Sequence, residues 1–338
     1  MKIPKGKILI CGLGSIGKRH IENLIKLGVA SSNIIIFRTQ KGTKEFGDEF
    51  LKKNPDLIVA NFLDKALQKK PFLTVVSNPT ALHVATAIKA AAAGSHVFVE
   101  KPLSDSLVGI NRLKKVLARK KVSLFVGFNH RFHPLLIAFK KFIGAGKIGN
   151  IIDVNARLSE RITDWHSWES YAVSYASRKK LGGGAIMTQS HEADFLYWIF
   201  GKPNWIFASG GTFGNLPMDV ENSVSAIFNY KIFVASLHLD YFSRPPIRYL
   251  EAVGTLGRLY WDYGAGVLTL TPLNGKTKII KQPKKFQRND MFLAEMKHFL
   301  DCITQRKTPM SSINDAINVQ KILSSVKKSM QTKKAISL

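Results

Sequence analysis

The N-terminal part of the chain carries short, continuous apolar runs separated by amphipathic stretches. Helical signals lie at Lys18–Leu27, at Ala81–Ala93 before the C-cap glycine Gly94, and from an N-cap at Ser104 to about Lys120. Strands that are apolar on both faces and alternate with helices are typical of a parallel sheet covered on both sides. We therefore predict a doubly wound α/β domain over residues 1–128. Its six strands are Lys7–Cys11, Ile34–Phe37, Asp56–Ala60, Leu73–Ser77, His96–Glu100 and Ser123–Gly127.

From about residue 150 the pattern changes to alternation with a period of two, as at Ile152, Val154, Ala156 and Leu158. Such alternation indicates strands with one face in water. Further strand-like runs are Ser223–Asn229, Ile232–Tyr241, Arg248–Val253, Gly257–Asp262, Gly266–Thr271 and Thr277–Lys281. Predicted helices are Ala185–Ile199, Asp290–Arg306 and Ser312–Met330. Residues 129–338 are thus predicted as an α+β domain with an open, mostly antiparallel sheet for substrate binding and oligomerisation.

An open sheet with one apolar face needs covering, so we expect a homodimer or homotetramer. The length of 338 residues suits two domains. No apolar run approaches the roughly 18 residues that span a bilayer, and Met1–Lys7 is too short for a signal peptide. The two cysteines exclude a disulfide framework and favour a cytoplasmic setting. Cys11 ends a predicted strand, which indicates a buried thiol.

The chain is strongly basic, with 50 Lys and Arg against 23 Asp and Glu and a net charge of +27. The lysines are spread in ones and twos, without a basic arm or a nucleic-acid-binding signature, so nucleic acid is a disfavoured partner. The charge reflects either lysine-rich solvated helix faces or attraction of an anionic small-molecule substrate and a phosphate-bearing cofactor.

Gly12-Leu13-Gly14-Ser15-Ile16-Gly17 lies between a predicted strand and a predicted helix. Gly12 permits the tight turn, Gly14 lets the backbone approach a pyrophosphate, and Gly17 lets the helix pack closely on the strand. The helix N-terminus supplies an anion site. This context predicts a Rossmann dinucleotide-binding domain, with backbone contacts from Ser15 and Ile16.

The end of the second predicted strand decides between the two nicotinamide dinucleotides. An acid there would hold the ribose 2′-hydroxyl of NAD, but the chain has Arg38-Thr39-Gln40-Lys41. Arg38 and Lys41 suit a 2′-phosphate and Thr39 could donate a hydrogen bond to it. We therefore favour NADP(H) over NAD(H), with Arg38 as ordinary surface charge as the alternative.

Four further segments fall at or after the carboxyl ends of predicted strands, where ligands bind in such sheets. They are Ser77-Asn78-Pro79-Thr80 with His83, Glu100-Lys101-Pro102, Asn129-His130-Arg131-Phe132, and Gly182-Gly183-Gly184 leading to His191-Glu192-Ala193-Asp194. With the glycine loop, their order and spacing resemble the glucose–fructose oxidoreductase and inositol dehydrogenase family (Gfo/Idh/MocA) over nearly the whole chain.

The resemblance implies a nicotinamide-dependent oxidoreductase in which Lys101 lies at the nicotinamide and touches the reacting oxygen. It implies that Glu100 orients Lys101 or the cofactor, and that the peptide before Pro102 is cis. The cofactor-binding residues expected are Gly12, Gly14, Ser15, Ile16, Gly17, Arg38, Thr39, Ser77, Asn78, Pro79, His83, Glu100, Lys101 and Asn129.

His191 is a candidate general acid or base because imidazole exchanges protons near neutral pH. Asp194, one helical turn later, could orient that ring or bind substrate, and capping of the helix is the alternative for His191. These two side chains are too few for a metal site, and no zinc-type spacing occurs elsewhere. His130 and His133 are interpreted as loop residues, and we predict no metal.

One position departs from the family pattern. Many members carry an aspartate where this chain has Thr188, and His191 comes one residue early. Either Lys101 and His191 suffice, another group replaces the acid, or the chain is an inactive relative. Aromatic and basic groups before the triple glycine suit a sugar or phosphate, unless they form a lid. The expected substrate-binding residues are Lys101, Arg131, Trp165, Tyr175, Arg178, Thr188, His191 and Asp194.

These features predict hydride transfer to or from a ring carbon of a sugar, with Lys101 and His191 managing the proton. A nucleotide-linked sugar is the preferred substrate class. The alternatives are a dehydrogenase of free sugars or inositols and a non-catalytic dinucleotide-binding regulatory protein of the same fold.

Overall fold

The computed structural model of the chain describes residues 6–39, 44–165 and 169–338. The chain forms two compact units, Met1–Asn129 with Arg288–Ile317 and His130–Gln287 with Asn318–Leu338. The segment Arg288–Ile317, which we placed in the second predicted domain, therefore clusters with the first unit. No helix within the described ranges is long and apolar enough to cross a membrane.

The first unit is built on a six-stranded sheet with the order β3-β2-β1-β4-β5-β6, in which all neighbours are parallel. The strands are β1 (Ile8–Cys11), β2 (Ile34–Phe37), β3 (Ile58–Ala60), β4 (Leu73–Val76), β5 (His96–Val99) and β6 (Leu124–Val126). Its first helices are α1 (Ser15–Lys26), α2 (Lys44–Lys53), α3 (Leu63–Gln68), α4 (His83–Ala92) and α5 (Ile110–Lys120). The strands β1 and β4 are buried along their whole length. The predicted Rossmann sheet is confirmed.

The start of α5 differs from the prediction. The helix begins at Ile110, after Gly109 in a left-handed conformation (φ +78°), so the N-cap predicted at Ser104 is wrong. A side chain at Gly109 would also meet Val84 at 3.0 Å, which favours glycine there. The chain thus turns before it can enter the helix, and Ser104 Oγ accepts a hydrogen bond from the Ser106 amide instead.

The second unit contains a nine-stranded sheet with the order β14-β13-β12-β11-β7-β10-β9-β8-β15. The strands are β7 (Ile151–Ser159), β8 (Trp205–Gly211), β9 (Ser223–Tyr230), β10 (Phe233–Asp240), β11 (Ile247–Gly254), β12 (Gly257–Asp262), β13 (Val267–Pro272), β14 (Lys278–Lys281) and β15 (Ile336–Ser337). The pair β7 and β10 is parallel, and the other neighbours are antiparallel. The mostly antiparallel sheet is confirmed, although β8 and β15 were not predicted.

The helices of the second unit include α6 (Pro134–Gly144), α7 (Ala185–Thr188) and α8 (His191–Phe200). We predicted one helix over Ala185–Ile199, and this was wrong because the helix is interrupted after Thr188. The Gln189 backbone leaves the helical region (ψ +34°), and its side-chain amide donates to the carbonyl of Asp240 at 3.0 Å. A hydrogen bond to a neighbouring strand thus replaces continuation of the helix.

Two long helices close the chain, α9 (Arg288–Gln305) and α10 (Ile313–Thr332). Phe299 of α9 packs on Phe98 and Phe125 of the parallel sheet, with ring centroids 6.2 and 5.5 Å apart. This apolar contact explains why α9 belongs to the first unit. Both cysteines are reduced and buried there, Cys11 in β1 and Cys302 in α9, and burial raises the pKa of the Cys11 thiol.

Candidate active site

The glycine loop joins β1 to α1 in a conformation that requires glycine. Gly12 has φ +108°, and a Cβ there would lie 2.7 Å from the Ser77 carbonyl oxygen. A Cβ on Gly17 would lie 2.2 Å from the carbonyl oxygen of Gly12. Ser77 Oγ donates to the same carbonyl at 3.1 Å, which holds the loop against the end of β4. The first and third glycines are therefore packing positions, as the motif predicts.

The N-terminus of α1 is open for an anion. A Cβ on Gly14, the N-cap residue, would meet no atom of the described neighbours within 4 Å, and no side chain caps the helix. The first turn, which contains Ser15 and Ile16, holds no acid. Exposed amides at a helix N-terminus bind phosphate groups. The loop therefore fits the pyrophosphate of a dinucleotide.

The structure weakens the sequence argument that Arg38 binds the 2′-phosphate of NADP. Its Nη1 donates to Asp48 Oδ1 of α2 at 2.6 Å, and the side chain is mostly covered. Asp48 thus neutralises part of the charge that we assigned to a 2′-phosphate. Thr39 is exposed beside it, and Lys41 lies outside the described residues.

Several predicted cofactor residues contact one another after β4 and β5. His83 bridges two turns, with Nε2 2.8 Å from the Asn78 carbonyl and Nδ1 2.9 Å from the Pro102 carbonyl. The Lys101–Pro102 peptide is cis, as the resemblance implied. The Oδ1 atoms of Asn78 and Asn129 are buried without a hydrogen-bond partner in the described part of the chain. Such acceptors could receive hydroxyl or amide hydrogens of a bound dinucleotide. Pro79, next to Asn78 in the chain, is half-buried.

Lys101 is half-buried and follows a cluster that the sequence did not reveal. Glu100 Oε1 lies 2.5 Å from His20 Nε2, and Glu100 Oε2 accepts from the Lys101 amide at 3.3 Å. Glu295 of α9 completes the cluster, and donor atoms of His20, Glu100 and Glu295 all lie within 4.8 Å of one another. We predicted no metal, but these donor types could hold one. Burial, followed by the Glu100 charge, raises the pKa of Glu295 well above its ordinary value.

In the second unit Arg131 and Asp194 form a buried ion pair. Arg131 Nη2 donates to Asp194 Oδ1 at 2.6 Å and Nε donates to Oδ2 at 3.0 Å, and both side chains are 1 % exposed or less. This fork holds the end of the Asn129–Phe132 turn on α8. The pairing gives both residues a structural role, and their predicted contact with substrate stays a prediction.

His191 begins α8 and is half-buried. Its ring centroid lies 4.7 Å from that of His130, which we had interpreted as a loop residue. Arg248 Nη1 donates to His130 Nε2 at 2.8 Å, and Arg248 Nε donates to Glu192 Oε1 at 2.6 Å. Because a guanidinium only donates, His130 accepts at Nε2 and is neutral. Burial raises the pKa of Glu192, and the Arg248 charge opposes this effect.

Thr188 is buried and held by a second hydroxyl. Its Oγ1 donates to the Gly184 carbonyl at 2.8 Å and shares a hydrogen bond with the Tyr241 hydroxyl. Burial raises the pKa of Tyr241 well above its ordinary value. Trp165 packs edge-on against Tyr241, with ring centroids 5.2 Å apart. At position 188, where the resemblance leads us to expect an acid, the structure therefore has a hydrogen-bonded pair of hydroxyl groups.

The triple glycine packs directly on the segment that contains Tyr175 and Arg178. A Cβ on Gly183 would lie 2.4 Å from the Tyr175 carbonyl oxygen, and the Gly183 amide donates to the Arg178 carbonyl. Both side chains are half-buried. His166 and Trp168 of the same predicted binding segment lie outside the described residues.

Four side chains of these clusters escaped sequence analysis: His20, Glu295, Tyr241 and Arg248. Each lies on a regular helix, on a strand or just after one, without a motif around it. The residues to which His20, Tyr241 and Arg248 are hydrogen-bonded lie 53 to 118 positions away along the chain. The sequence contains a signal for His20, which is a polar residue on the buried face of a predicted helix, one turn after Gly17.

Residues 6–128 match the family model of GFO/IDH/MocA, described as an oxidoreductase family with an NAD-binding Rossmann fold. Residues 136–260 match the model of the GFO/IDH/MocA C-terminal domain. The chain belongs to this oxidoreductase family. The family assignment confirms the resemblance and makes the first unit an NAD(P)-binding Rossmann domain.

Among the family's curated members, scyllo-inositol 2-dehydrogenase (NAD(+)) of Bacillus subtilis (strain 168) is 25% identical over 328 residues, 92% of this chain and 90% of that protein. Levoglucosan dehydrogenase, in complex with NADH and levoglucosan, has a TM-score of 0.86 at 18% identity, covering 98% and 99% of the two chains. The WlbA dehydrogenase from Bordetella pertussis, in complex with NADH and UDP-GlcNAcA, has a TM-score of 0.82 at 21% identity, covering 99% of each. The two structures show the shared fold.

Proposed function

We propose that this chain is a nicotinamide-dependent dehydrogenase that acts on a CH–OH group in the ring of a sugar, preferably a nucleotide-linked sugar. The observation that carries the proposal is the glycine loop before α1, a helix N-terminus with no capping side chain and no acid. The buried acceptors Asn78 Oδ1 and Asn129 Oδ1 add to it, because the hydroxyl and amide groups of a dinucleotide can satisfy them.

The nicotinamide dinucleotide, when bound, supplies the hydride carrier. The Lys101 ammonium donates a hydrogen bond to the reacting oxygen and stabilises alkoxide character there. His191 takes the hydroxyl proton in oxidation and returns it in reduction, since an imidazole exchanges protons near neutral pH. The Thr188–Tyr241 pair remains neutral, because burial raises the pKa of Tyr241, and it adds no charge to this chemistry.

The substrate class rests on charge and on relatives. A net charge of +27 favours anionic ligands, and the WlbA structure contains UDP-GlcNAcA. Other relatives act on scyllo-inositol or bind levoglucosan, so a free polyol is the competing substrate. Titration with UDP separates the two: binding supports the nucleotide-sugar version, and no binding at millimolar levels contradicts it.

We propose NADP(H) as the preferred cofactor, with Arg38 on the 2′-phosphate. The test is calorimetric titration of NADP(H) and NAD(H) into the wild type, Arg38→Asp and Asp48→Asn. Because Asp48 holds Arg38 Nη1 at 2.6 Å, Asp48→Asn removes the opposing negative charge and should strengthen NADP(H) binding. Arg38→Asp should reverse the preference. Equal affinities in all three proteins would refute this assignment, and no binding of either nucleotide would refute the enzyme.

Turnover distinguishes the enzyme from the regulatory protein. The absorbance of reduced nicotinamide is followed with a panel of nucleotide sugars, free sugars and inositols, in both directions. Turnover that Lys101→Ala abolishes supports the dehydrogenase. Tight cofactor binding without turnover of any panel member favours the regulatory protein, for which the replacement of the usual acid by Thr188 is the specific observation.

We also propose that the nine-stranded sheet forms the oligomer interface. Three apolar side chains of this sheet are exposed: Phe207 at 39 %, Ile227 at 43 % and Val234 at 41 %. Light scattering should show a dimer or tetramer that Ile227→Asp weakens. Ile232→Asp, at a more exposed turn position, is the matched control. A monomeric wild type refutes the interface.

A further inference from the structure

Two buried histidines hold the residues on either side of Lys101. His20 Nε2 lies 2.5 Å from Glu100 Oε1, and His83 Nδ1 lies 2.9 Å from the Pro102 carbonyl oxygen. The histidines are 0 % and 2 % exposed. We infer that His20 and His83 are positioning residues that fix the direction of Lys101. This inference rests on the proposed function, in which Lys101 serves the reacting oxygen.

The His20 contact connects the glycine-loop helix to the residue before Lys101. His20 lies on α1, and Glu100, its partner, also accepts the Lys101 amide at 3.3 Å. A carboxylate only accepts, so His20 donates from Nε2. The Phe98 ring stands edge-on to His20 at 4.9 Å and restricts its orientation. Loss of the His20 donor therefore releases Glu100 Oε1 and changes the position of the Glu100 side chain.

Glu295 is the second carboxyl group of this cluster. Glu295 is fully buried, and neither of its oxygens has a hydrogen-bond partner among the described residues. Two carboxylates so close cannot both be ionised in a buried site. Burial and the Glu100 charge raise the pKa of Glu295, which is therefore neutral. Glu295 therefore adds no charge beside the His20–Glu100 hydrogen bond.

The geometry favours a proton over a metal ion in this cluster. Ligand atoms that share one zinc ion at about 2.0 to 2.2 Å lie roughly 3 Å or more apart. The His20–Glu100 separation of 2.5 Å is that of a hydrogen bond. The Glu295 donor atom lies within 4.8 Å of the other two. Metal analysis nevertheless tests the point directly.

His83 acts on the other side of Lys101. Its ring spans from the Asn78 carbonyl to the Pro102 carbonyl, both of which are acceptors. A neutral ring donates to one of them and an imidazolium to both. Burial, the largest effect, lowers the pKa of His83, although the two carbonyls oppose it, so the neutral ring prevails. The imidazolium ties both predicted cofactor turns together, whereas the neutral ring donates to one of them.

The test measures Lys101 itself and needs no substrate. Full-length wild type, His20→Leu and His20→Gln are acetylated with limiting acetic anhydride across a pH series, and peptide mass spectrometry reports the labelling of Lys101 and of the exposed Lys53. In His20→Leu, Glu100 loses its donor and no longer holds the Lys101 amide in place, so the direction of the Lys101 side chain changes. The labelling of Lys101 relative to that of Lys53 should therefore change about threefold or more, the factor that about 0.7 kcal/mol produces. Lys53 should not change.

His20→Gln is the conservative control, because its amide nitrogen can donate from a position close to that of Nε2. Its Lys101 profile should match the wild type. If His20→Leu does not fold, as judged by thermal unfolding, His20→Asn, with a shorter reach, takes the same test. A wild-type Lys101 profile in a folded variant that lacks the donor would overturn the proposal.

His83 is tested by NADPH titration. His83→Leu should weaken NADPH binding about tenfold, or about 1.4 kcal/mol, and His83→Gln should recover part of it. Unchanged affinity in folded His83→Leu would overturn this half of the proposal. One equivalent of divalent metal in the purified wild type, lost in Glu295→Gln, would overturn the other half. If the wild type binds neither NADPH nor NADH, the proposed function fails, while Lys101 labelling still measures the positioning by His20.

Discussion

Each unit of the chain buries carboxylates beside histidines, but the two clusters are neutralised in different ways. In the second unit Asp194 is held by Arg131 and Glu192 by Arg248. In the first unit Glu295 has no hydrogen-bond partner in the described residues and retains a proton. A fixed guanidinium balances charge at any working pH, whereas a proton can leave. The charge of the first cluster, which lies next to Lys101 in the chain, should therefore change with pH. The stability of the second cluster should depend mainly on whether its arginines are present.

The largest effect is expected where a fixed cation is removed from a fully buried partner. Arg131→Met leaves the Asp194 carboxylate without its fork and should cost about 3 to 5 kcal/mol of unfolding free energy. Urea unfolding followed by circular dichroism measures the change. The double variant Arg131→Met with Asp194→Leu should regain much of the loss. Equal costs for the single and double variants would show that the ion pair is not the cause.

A smaller loss is expected for Arg248→Met, because its partner has an alternative. Burial already raises the pKa of Glu192, so this carboxyl can take up a proton when the guanidinium is gone. We expect a cost of about 2 kcal/mol at neutral pH, the scale of a hydrogen bond to a charged group. The same urea titration at pH 5 should show a smaller cost. A cost that is independent of pH would contradict proton uptake by Glu192.

The second cluster does contain one group that senses acid. Burial, followed by the Arg248 charge, lowers the pKa of His133 to about 4 from 6.5. The unfolded chain then binds more protons than the folded chain between these values. Stability should therefore fall by about 1.4 kcal/mol per pH unit as pH decreases through that window.

Asparagine at position 133 is the matched variant for this prediction. His133 is the N-cap of α6 and accepts from the Leu135 amide through Nδ1, a role that an asparagine oxygen can take. His133→Asn should keep the stability near pH 7 and flatten its decline in acid, as measured by thermal unfolding across pH. An unchanged slope would assign the acid sensitivity to other groups.

The smallest effect is expected for Glu295→Gln, which replaces a neutral acid by a neutral amide of the same shape. At pH 7 the variant should lie within about 1 kcal/mol of the wild type. The folded-state pKa of Glu295 is raised, so the wild type loses stability as pH rises above the ordinary carboxyl range, and the variant does not. Glu192→Gln, which removes the negative charge that balances Arg248, is the comparison and should be clearly more costly. Equal costs would erase the difference between the clusters.

Features that depend on interactions between residues close together in the chain could be predicted from the sequence, and features that depend on distant residues could not. The parallel sheet and the glycine loop depend on local apolar runs and backbone conformations, so the sequence predicted both. The strand β8 was missed because its alternation ends in Gly210-Gly211. The break after Thr188 was missed because a strand carbonyl at Asp240 causes it. Arg38 illustrates the same limit, since α2 brings Asp48 against it only in the folded chain.

The placement of the chain's two thiols gives the experimenter a built-in reporter. Cys11 and Cys302 are both buried in the first unit, and the second unit has none. A thiol reagent can therefore react only when the first unit unfolds locally or globally, and it does not report unfolding of the second unit. Cys11 lies in the central strand β1, and Cys302 lies in the peripheral helix α9. The labelling rate of Cys11 would therefore report unfolding of the sheet, and that of Cys302 would report local unfolding around α9.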